Sequence, residues 1–261
     1  MTVRSAQSSR PDRTEGHGAA AVGRVHSWDT SIGVDGPGTR FVLFTAGCPL
    51  RCGYCHNPDT WAGRSGRLMT AGEVLARIDR HARFLRVAGG GVTVSGGEPL
   101  LQPAFTEAVL AGSRERGLHT ALDTAGSLGH RAGDALLAAT DLVLLDIKSW
   151  DPAIYRAVTG GEVAPTLTFA RRLARRGQPV WIRFVLVPGW TDGVANVAGL
   201  ARFCAGLGNV ERVDVLPFHS LGAAKYAALG LPYPAAGVRP PDADLLARVR
   251  GQFAATGLTV C

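Results

Sequence analysis

The chain has 261 residues, 46% of them hydrophobic, and a formal net charge of +7, which suits one large α/β domain or two small ones. No apolar run reaches the ~18 residues needed to cross a bilayer, and the first 22 residues lack the apolar stretch of a secretory signal, so the expectation is a cytoplasmic protein with reduced thiols and no membrane partner. Of the 28 basic residues 26 are Arg, scattered and without interleaved aromatics, which argues against a nucleic-acid surface.

Residues 1–22, rich in Ser, Arg and Gly, read as a disordered tail; residues 23–261 read as one domain, without linker or internal repeat. The first strand signal is Phe41–Thr45, which runs into Gly47-Cys48-Pro49-Leu50-Arg51-Cys52-Gly53-Tyr54-Cys55-His56-Asn57. A helix over Thr70–Val87 opens on Thr70-x-x-Glu73, the pattern of a capping box. Then come strand Gly91–Ser95, helix Pro103–Arg116 with Pro near its first turn, and strands His119–Asp123 and Leu142–Ile147. Helix Thr166–Arg176, strand Val180–Val187, helix Val194–Gly206, strand Arg212–Leu216 and helix Asp242–Ala255 complete the chain. Strands alternating with helices at this spacing predict a parallel sheet. Six units are too few for a closed eight-stranded barrel, so the expected fold is an α/β, TIM-like partial (β/α)6 barrel.

Barrel enzymes carry their chemistry at the C-terminal strand ends, and polar residues gather there in this sequence. Cys48, Cys52 and Cys55 follow the first strand in a C-x3-C-x2-C pattern. Three thiolates on so short a loop suit a soft metal centre. They leave an iron–sulfur cluster, which takes four Cys, one ligand short. The same stretch admits a Cys3His zinc site completed by His56, and Cys52 to His56 fits the C-x-x-C-H haem pattern. The second strand ends in Gly96-Gly97-Glu98, bare backbone beside a carboxylate. Asp123-Thr124 and Asp146-Ile147-Lys148 follow the third and fourth; the two Asp equally suit turns or caps, or with Lys148 can hold hydroxyls, a carboxylate and a cation. Lys148 is one of only two lysines, with Lys225, and in an Arg-rich chain a retained Lys points to a need for a compact ammonium. Arg183, inside the fifth strand, needs a partner such as an acid or substrate. His219, after the sixth, suits a nucleobase or a satisfied partly buried role. Cys204 reads as a helix-core thiol, and Cys261 has no assigned role. A structural zinc site has no need of six polar strand ends, which favours the cluster.

With these residues in view the chain resembles the radical S-adenosylmethionine family, whose signature is C-x3-C-x2-C. More closely, Gly23 to Leu258 resembles its pyruvate formate-lyase-activating branch. The likeness is carried by Val34-Asp35-Gly36-Pro37-Gly38-Thr39-Arg40-Phe41, Tyr54-Cys55-His56-Asn57-Pro58-Asp59-Thr60-Trp61, Val180-Trp181-Ile182-Arg183 and Val187-Pro188-Gly189-Trp190. The resemblance implies a radical SAM fold, a [4Fe-4S] cluster on Cys48, Cys52 and Cys55, and S-adenosylmethionine chelated to its fourth iron. It places Gly96, Gly97 and Glu98 at the methionine amino end, Tyr54 and His56 against the cofactor, Asp146, Ile147 and Lys148 at ribose and carboxylate, and His219 on the far side. Asp123, Thr124 and Asp146 match a monovalent-cation site, and Asp35, His56 and Arg183 face an incoming glycine loop. The implied reaction is reductive cleavage of S-adenosylmethionine to a 5′-deoxyadenosyl radical, which takes hydrogen from a backbone glycine of pyruvate formate-lyase. A one-electron donor such as flavodoxin or ferredoxin supplies the electron to a monomeric activase. Two departures stand out. Ala125 occupies a place where Asn is expected, weakening the cation assignment. No cysteine lies between Cys55 and Gly91, so an inserted ferredoxin-like module is absent. The alternatives are an activase of another glycyl-radical enzyme, or a zinc-binding module.

Overall fold

The computed structural model describes residues 18–261. Eight strands form one sheet: β1 (Val22–Ile32), β2 (Thr39–Thr45), β3 (Arg67–Thr70), β4 (Gly91–Gly96), β5 (His119–Thr124), β6 (Leu142–Asp146), β7 (Val180–Leu186) and β8 (Val210–Pro217), in the order β3-β1-β2-β4-β5-β6-β7-β8. The six strands from β2 to β8 that the sequence predicts run parallel. The helices are α1 (Ala71–Val87), α2 (Pro103–Glu115), α3 (Asp134–Ala138), α4 (Pro152–Thr159), α5 (Ala164–Arg175), α6 (Val194–Ala205), α7 (Ala223–Ala228) and α8 (Ala243–Ala254). The sheet does not close, since β3 and β8 remain its edges. The β8 edge is covered in part by the chain end, where Cys261 N–H donates to Val213 and Val215 N–H donates to Cys261, a protection edge strands commonly need.

Alternation along the strands separates two faces. Ile182, Phe184 and Leu186 of β7 pack outward into the large core shared with the helices. Their neighbour Trp181 points inward with Ala121, Leu142 and Leu144 to make a small apolar floor. Two residues further along, at the strand ends, the inward positions become Asp123, Asp146 and Arg183. Register places Leu144 opposite Trp181 and Asp146 opposite Arg183, so floor and polar rim are successive layers.

Arg40 staples the N-terminal ends of the sheet. It is fully buried, and its guanidinium donates to the Thr93 hydroxyl at 3.0 Å and to the Val92 and His119 carbonyls. Burial pushes it down to about 10.

The Thr70–Glu73 capping box forms as the sequence predicts, with Glu73 N–H donating to the Thr70 hydroxyl at 3.1 Å and Thr70 N–H to the Glu73 carboxylate at 2.7 Å. Two strands were not foreseen. Antiparallel β1 carries mixed polar residues on a half-exposed surface, and β3 is only four residues long. The short α3, α4 and α7 also lack enough turns to show a period. The expected tail 1–22 lies outside the described residues up to position 17. Its end belongs to the domain instead: Ala71 N–H donates to Ala21, Gly72 N–H to Ala19, and Val22 opens β1.

Candidate active site

The cysteine loop leaves β2 through Gly47, whose φ of +94° a residue with a side chain would rarely adopt. Backbone bonds then fix the loop from two sides, Thr60 and the end of α4. Gly47 N–H donates to Thr60 at 2.7 Å, Arg51 N–H to Thr159 at 2.8 Å, and Gly53 N–H to Val158 at 2.9 Å. Gly53 must be bare because a Cβ there would stand 2.9 Å from Trp190. The loop forms one wall of a cavity of about 830 Å³, lined also by residues from the ends of all six parallel strands.

Cys48, Cys52 and Cys55 all line that cavity and none forms a disulfide. Burial raises all three thiols, Cys48 to about 12 and Cys52 to about 11. Among the described residues no three His, Cys, Asp or Glu groups converge as ligands of a single ion, as a Cys3His zinc site requires. His56 instead meets His219 edge-on, ring centres 4.8 Å apart.

The rim is an array of paired charges. Arg183 Nη1 lies 3.2 Å from Asp123 Oδ2 and 3.5 Å from Asp35 Oδ1. Asp123 also accepts from the Ser95 hydroxyl at 2.6 Å. Burial pushes the Asp123 carboxyl up, against the opposing pull of Arg183. Lys148 sits 3.1 Å from Asp146; burial works against its ammonium, but Asp146 holds the proton well above the ordinary lysine range. Asp35 is placed through its backbone, its carbonyl accepting from the Thr93 hydroxyl that Arg40 also binds.

Three buried polar atoms of the cavity residues have no protein partner: Tyr54 Oη, Asp123 Oδ1 and Arg183 Nε. Buried groups of this kind are rare without a ligand to meet them. With Gly96, Gly97, His56 and His219 they make a pocket wall suited to a polar, aromatic-bearing cofactor.

Two expected site residues lie elsewhere. Ile147 is fully buried in the main core. Glu98 is 1% exposed and lies beneath the cavity wall, where its carboxylate accepts from the Thr124 hydroxyl (2.7 Å), Leu100 N–H (3.0 Å) and Ala125 N–H (3.1 Å). It ties the Gly-Gly turn to the end of β5. The glycines are needed for packing as well, since a Cβ on Gly96 would strike the Thr45 backbone and one on Gly97 the Gly47 carbonyl. The three residues of the expected cation site, Asp123, Thr124 and Asp146, line the cavity together; there Asp123 pairs with Arg183, Asp146 with Lys148, and the Thr124 hydroxyl donates to Glu98.

Burial raises Glu98 to about 7 from an ordinary 4.5, the hydrogen bonds opposing it only in part. A carboxyl raised on folding adds stability below its unfolded value, and that share is lost as pH climbs through the folded one. Wild type is therefore expected to lose about 3 kcal/mol relative to Glu98→Gln between pH 4.5 and 8. Thermal unfolding of the two proteins across that range measures it; equal pH slopes would place the titration elsewhere.

Sequence reasoning missed Lys225, whose Nζ reaches Asn57 Oδ1 at 2.7 Å and Asp59 at 3.2 Å in the same cavity. The signal was present, since Lys225 is one of only two lysines, and the structure brings both to one cavity. It also missed His26, Ser27 and Trp28, because they stand on the unforeseen β1.

The Radical SAM superfamily model matches residues 42–201. The chain is 41% identical over 234 residues to the pyruvate formate-lyase 1-activating enzyme of Escherichia coli strain K12, covering 89% of this chain and 95% of that one. It is 45% identical over 227 residues to the pyruvate formate-lyase-activating enzyme of Staphylococcus epidermidis, covering 84% and 90%. Among solved structures, a domain of a pyruvate-formate lyase-activating enzyme from Bacteroides vulgatus matches 66% of this chain and 98% of its own, at 27% identity and TM-score 0.57. Streptococcus suis SuiB bound to S-adenosylmethionine shares the fold at 16% identity and TM-score 0.63, over 82% of this chain and 48% of that one.

Proposed function

We infer from this kinship, by which the chain belongs to the radical SAM superfamily and within it to the pyruvate formate-lyase-activating enzymes, that it installs a glycyl radical on pyruvate formate-lyase. The observation that carries the reading is the three-cysteine loop standing at the lip of the one cavity into which all six parallel strand ends deliver their side chains.

The residues present fit the cofactors. Cys48, Cys52 and Cys55 would hold a [4Fe-4S] cluster with one iron left for S-adenosylmethionine. Gly96 and Gly97 offer exposed backbone, Asp146 and Lys148 a fixed pair of opposite charges, and Tyr54 and His219 an aromatic and polar wall. When bound, the cluster and S-adenosylmethionine supply a one-electron reductive cleavage that yields a 5′-deoxyadenosyl radical able to take hydrogen from a glycine Cα.

The protein's own part is to bind, orient and shield. No side chain need act as a general base. The Lys148 ammonium, held charged by Asp146, offers a fixed cation to a carboxylate. The apolar layer of Leu144 and Trp181 lies one inward step along the strands from Asp146 and Arg183. Asp35, Arg183 and Asp123 present donors and acceptors at the rim, suited to the backbone of a glycine-bearing loop. The electron comes from a flavodoxin- or ferredoxin-type donor.

The test is anaerobic reconstitution, reduction, and addition of S-adenosylmethionine with and without pyruvate formate-lyase. The expected products are 5′-deoxyadenosine and, only with the partner, a glycyl-radical resonance. Deoxyadenosine without a partner radical redirects the search to another glycyl-radical enzyme. A protein that takes up zinc and no iron sinks the reading.

A further inference from the structure

Three side chains outside the ligand set grip the cysteine loop. Arg51 lies on the surface, and its Nη1 donates to the Cys48 carbonyl at 2.6 Å and the Leu50 carbonyl at 2.8 Å. Its guanidinium stands 5.2 Å over the Trp61 ring. The Trp61 carbonyl accepts from Cys48 N–H at 3.3 Å, and its ring meets Tyr226 edge-on at 5.6 Å and 88°. Tyr226, buried on α7, donates its hydroxyl to the Cys52 carbonyl at 3.3 Å. The three side chains thus form one contiguous brace, Arg51 on Trp61 on Tyr226, that holds the backbone of Cys48 and Cys52.

We propose that Arg51, Trp61 and Tyr226 act as positioning residues that set the reduction potential of a cluster held by Cys48, Cys52 and Cys55; this rests on the reading of the loop as a cluster site. Reduction adds one electron from an external one-electron reductant, which loses one, and no bond forms or breaks. The cluster becomes more negative by one charge. A fixed guanidinium and X–H dipoles aimed at the ligand loop favour that state, and hydrogen bonds near the sulfurs and solvent exposure are known levers on cluster potentials. Solvent screens the exposed Arg51. Trp61 is less exposed and seats both the guanidinium and Tyr226, so both are needed to test the idea.

The experiment reconstitutes wild type, Arg51→Gln, Arg51→Lys and Trp61→Phe anaerobically and titrates the reduced cluster resonance against a poised reductant, without S-adenosylmethionine or partner. Arg51→Gln and Trp61→Phe are expected to carry full iron and sulfide. Their ratio of reduced to oxidised cluster at fixed poise should fall about three- to tenfold, tenfold being 59 mV for one electron. Arg51→Lys keeps the charge and should titrate near wild type. Wild-type ratios in Arg51→Gln and Trp61→Phe overturn the proposal. So does failure of both Arg51→Lys and Trp61→Phe to load iron, which makes the brace an assembly element only. A wild type that loads zinc and no iron overturns the cluster reading itself, and the brace with it.

Discussion

Cys52→Ala is expected to leave anaerobic reconstitution without cluster absorbance, while Cys204→Ala and Cys261→Ala take up iron as wild type does. Cys52 is the most enclosed of the three loop thiols, and its carbonyl is held by Tyr226 and by Cys55 N–H. Removing it leaves two thiolates, and a cluster already one cysteine short has no substitute nearby. Partners outside the ligand set typically cost ~10–100-fold in metal affinity when lost, so losing a ligand should exceed that, and radical formation should disappear with it. Cys204 is fully buried in the α6 core, its thiol pushed up to about 12 by burial alone. Its replacement trims a methyl-sized volume and lowers stability modestly, with iron per folded protein unchanged. Cys261 pairs through its backbone along the β8 edge, which Ala preserves. Iron and sulfide analysis with the visible spectrum decides the contrast; full iron in Cys52→Ala would remove the loop from the ligand set.

The parallel part of the fold was legible because its strands are buried on both faces and read as apolar runs, such as Leu142-Val143-Leu144-Leu145. The rim was legible for the same reason in reverse: Asp123, Asp146 and Arg183 break apolar strands at inward positions, where a charge needs a partner or a ligand. What stayed hidden was set by pairing across the chain. β1 has no clean alternation, so His26 and Trp28 could not be placed beside Cys48 in advance. Lys225 reaches Asn57 across 168 residues of separation, a contact no local pattern contains. The surroundings of Glu98 stayed hidden for a related reason. Its motif put it after a strand on the cysteine face, but the φ of +118° at Gly96 turns the chain, and Thr124 and Ala125 capture the carboxylate below the cavity wall.

Arg183→Met is the substitution expected to separate the protein's two tasks of handling the cofactor and receiving the glycine loop. Its Nη1 serves both Asp123 and Asp35, and all three side chains are less than one-fifth exposed. Removing one partner of a buried pair typically costs ~3–5 kcal/mol, because the remaining charge is left without compensation. Asp35 retains the more open setting, so the penalty falls mainly on Asp123. That carboxyl is already raised by burial with Arg183 holding it down, and without the arginine it rises further. A group raised on folding contributes its stability at low pH and loses it as pH climbs through the folded value. The melting gap between wild type and Arg183→Met should therefore be smallest at the acid end and widen as pH rises. A gap that does not change with pH would show that the loss is one of packing and not of charge. At the rim the same change removes the donor that faces both acids, and the yield of glycyl radical should fall more steeply than the yield of 5′-deoxyadenosine, by ~100-fold if substrate positioning is lost. Asp35→Asn supplies the complementary test, since it alters the rim while leaving the Asp123–Arg183 pair in place. A radical yield that falls in Asp35→Asn without the pH-dependent melting gap would assign the docking role to the rim and the stability role to the buried pair beneath it.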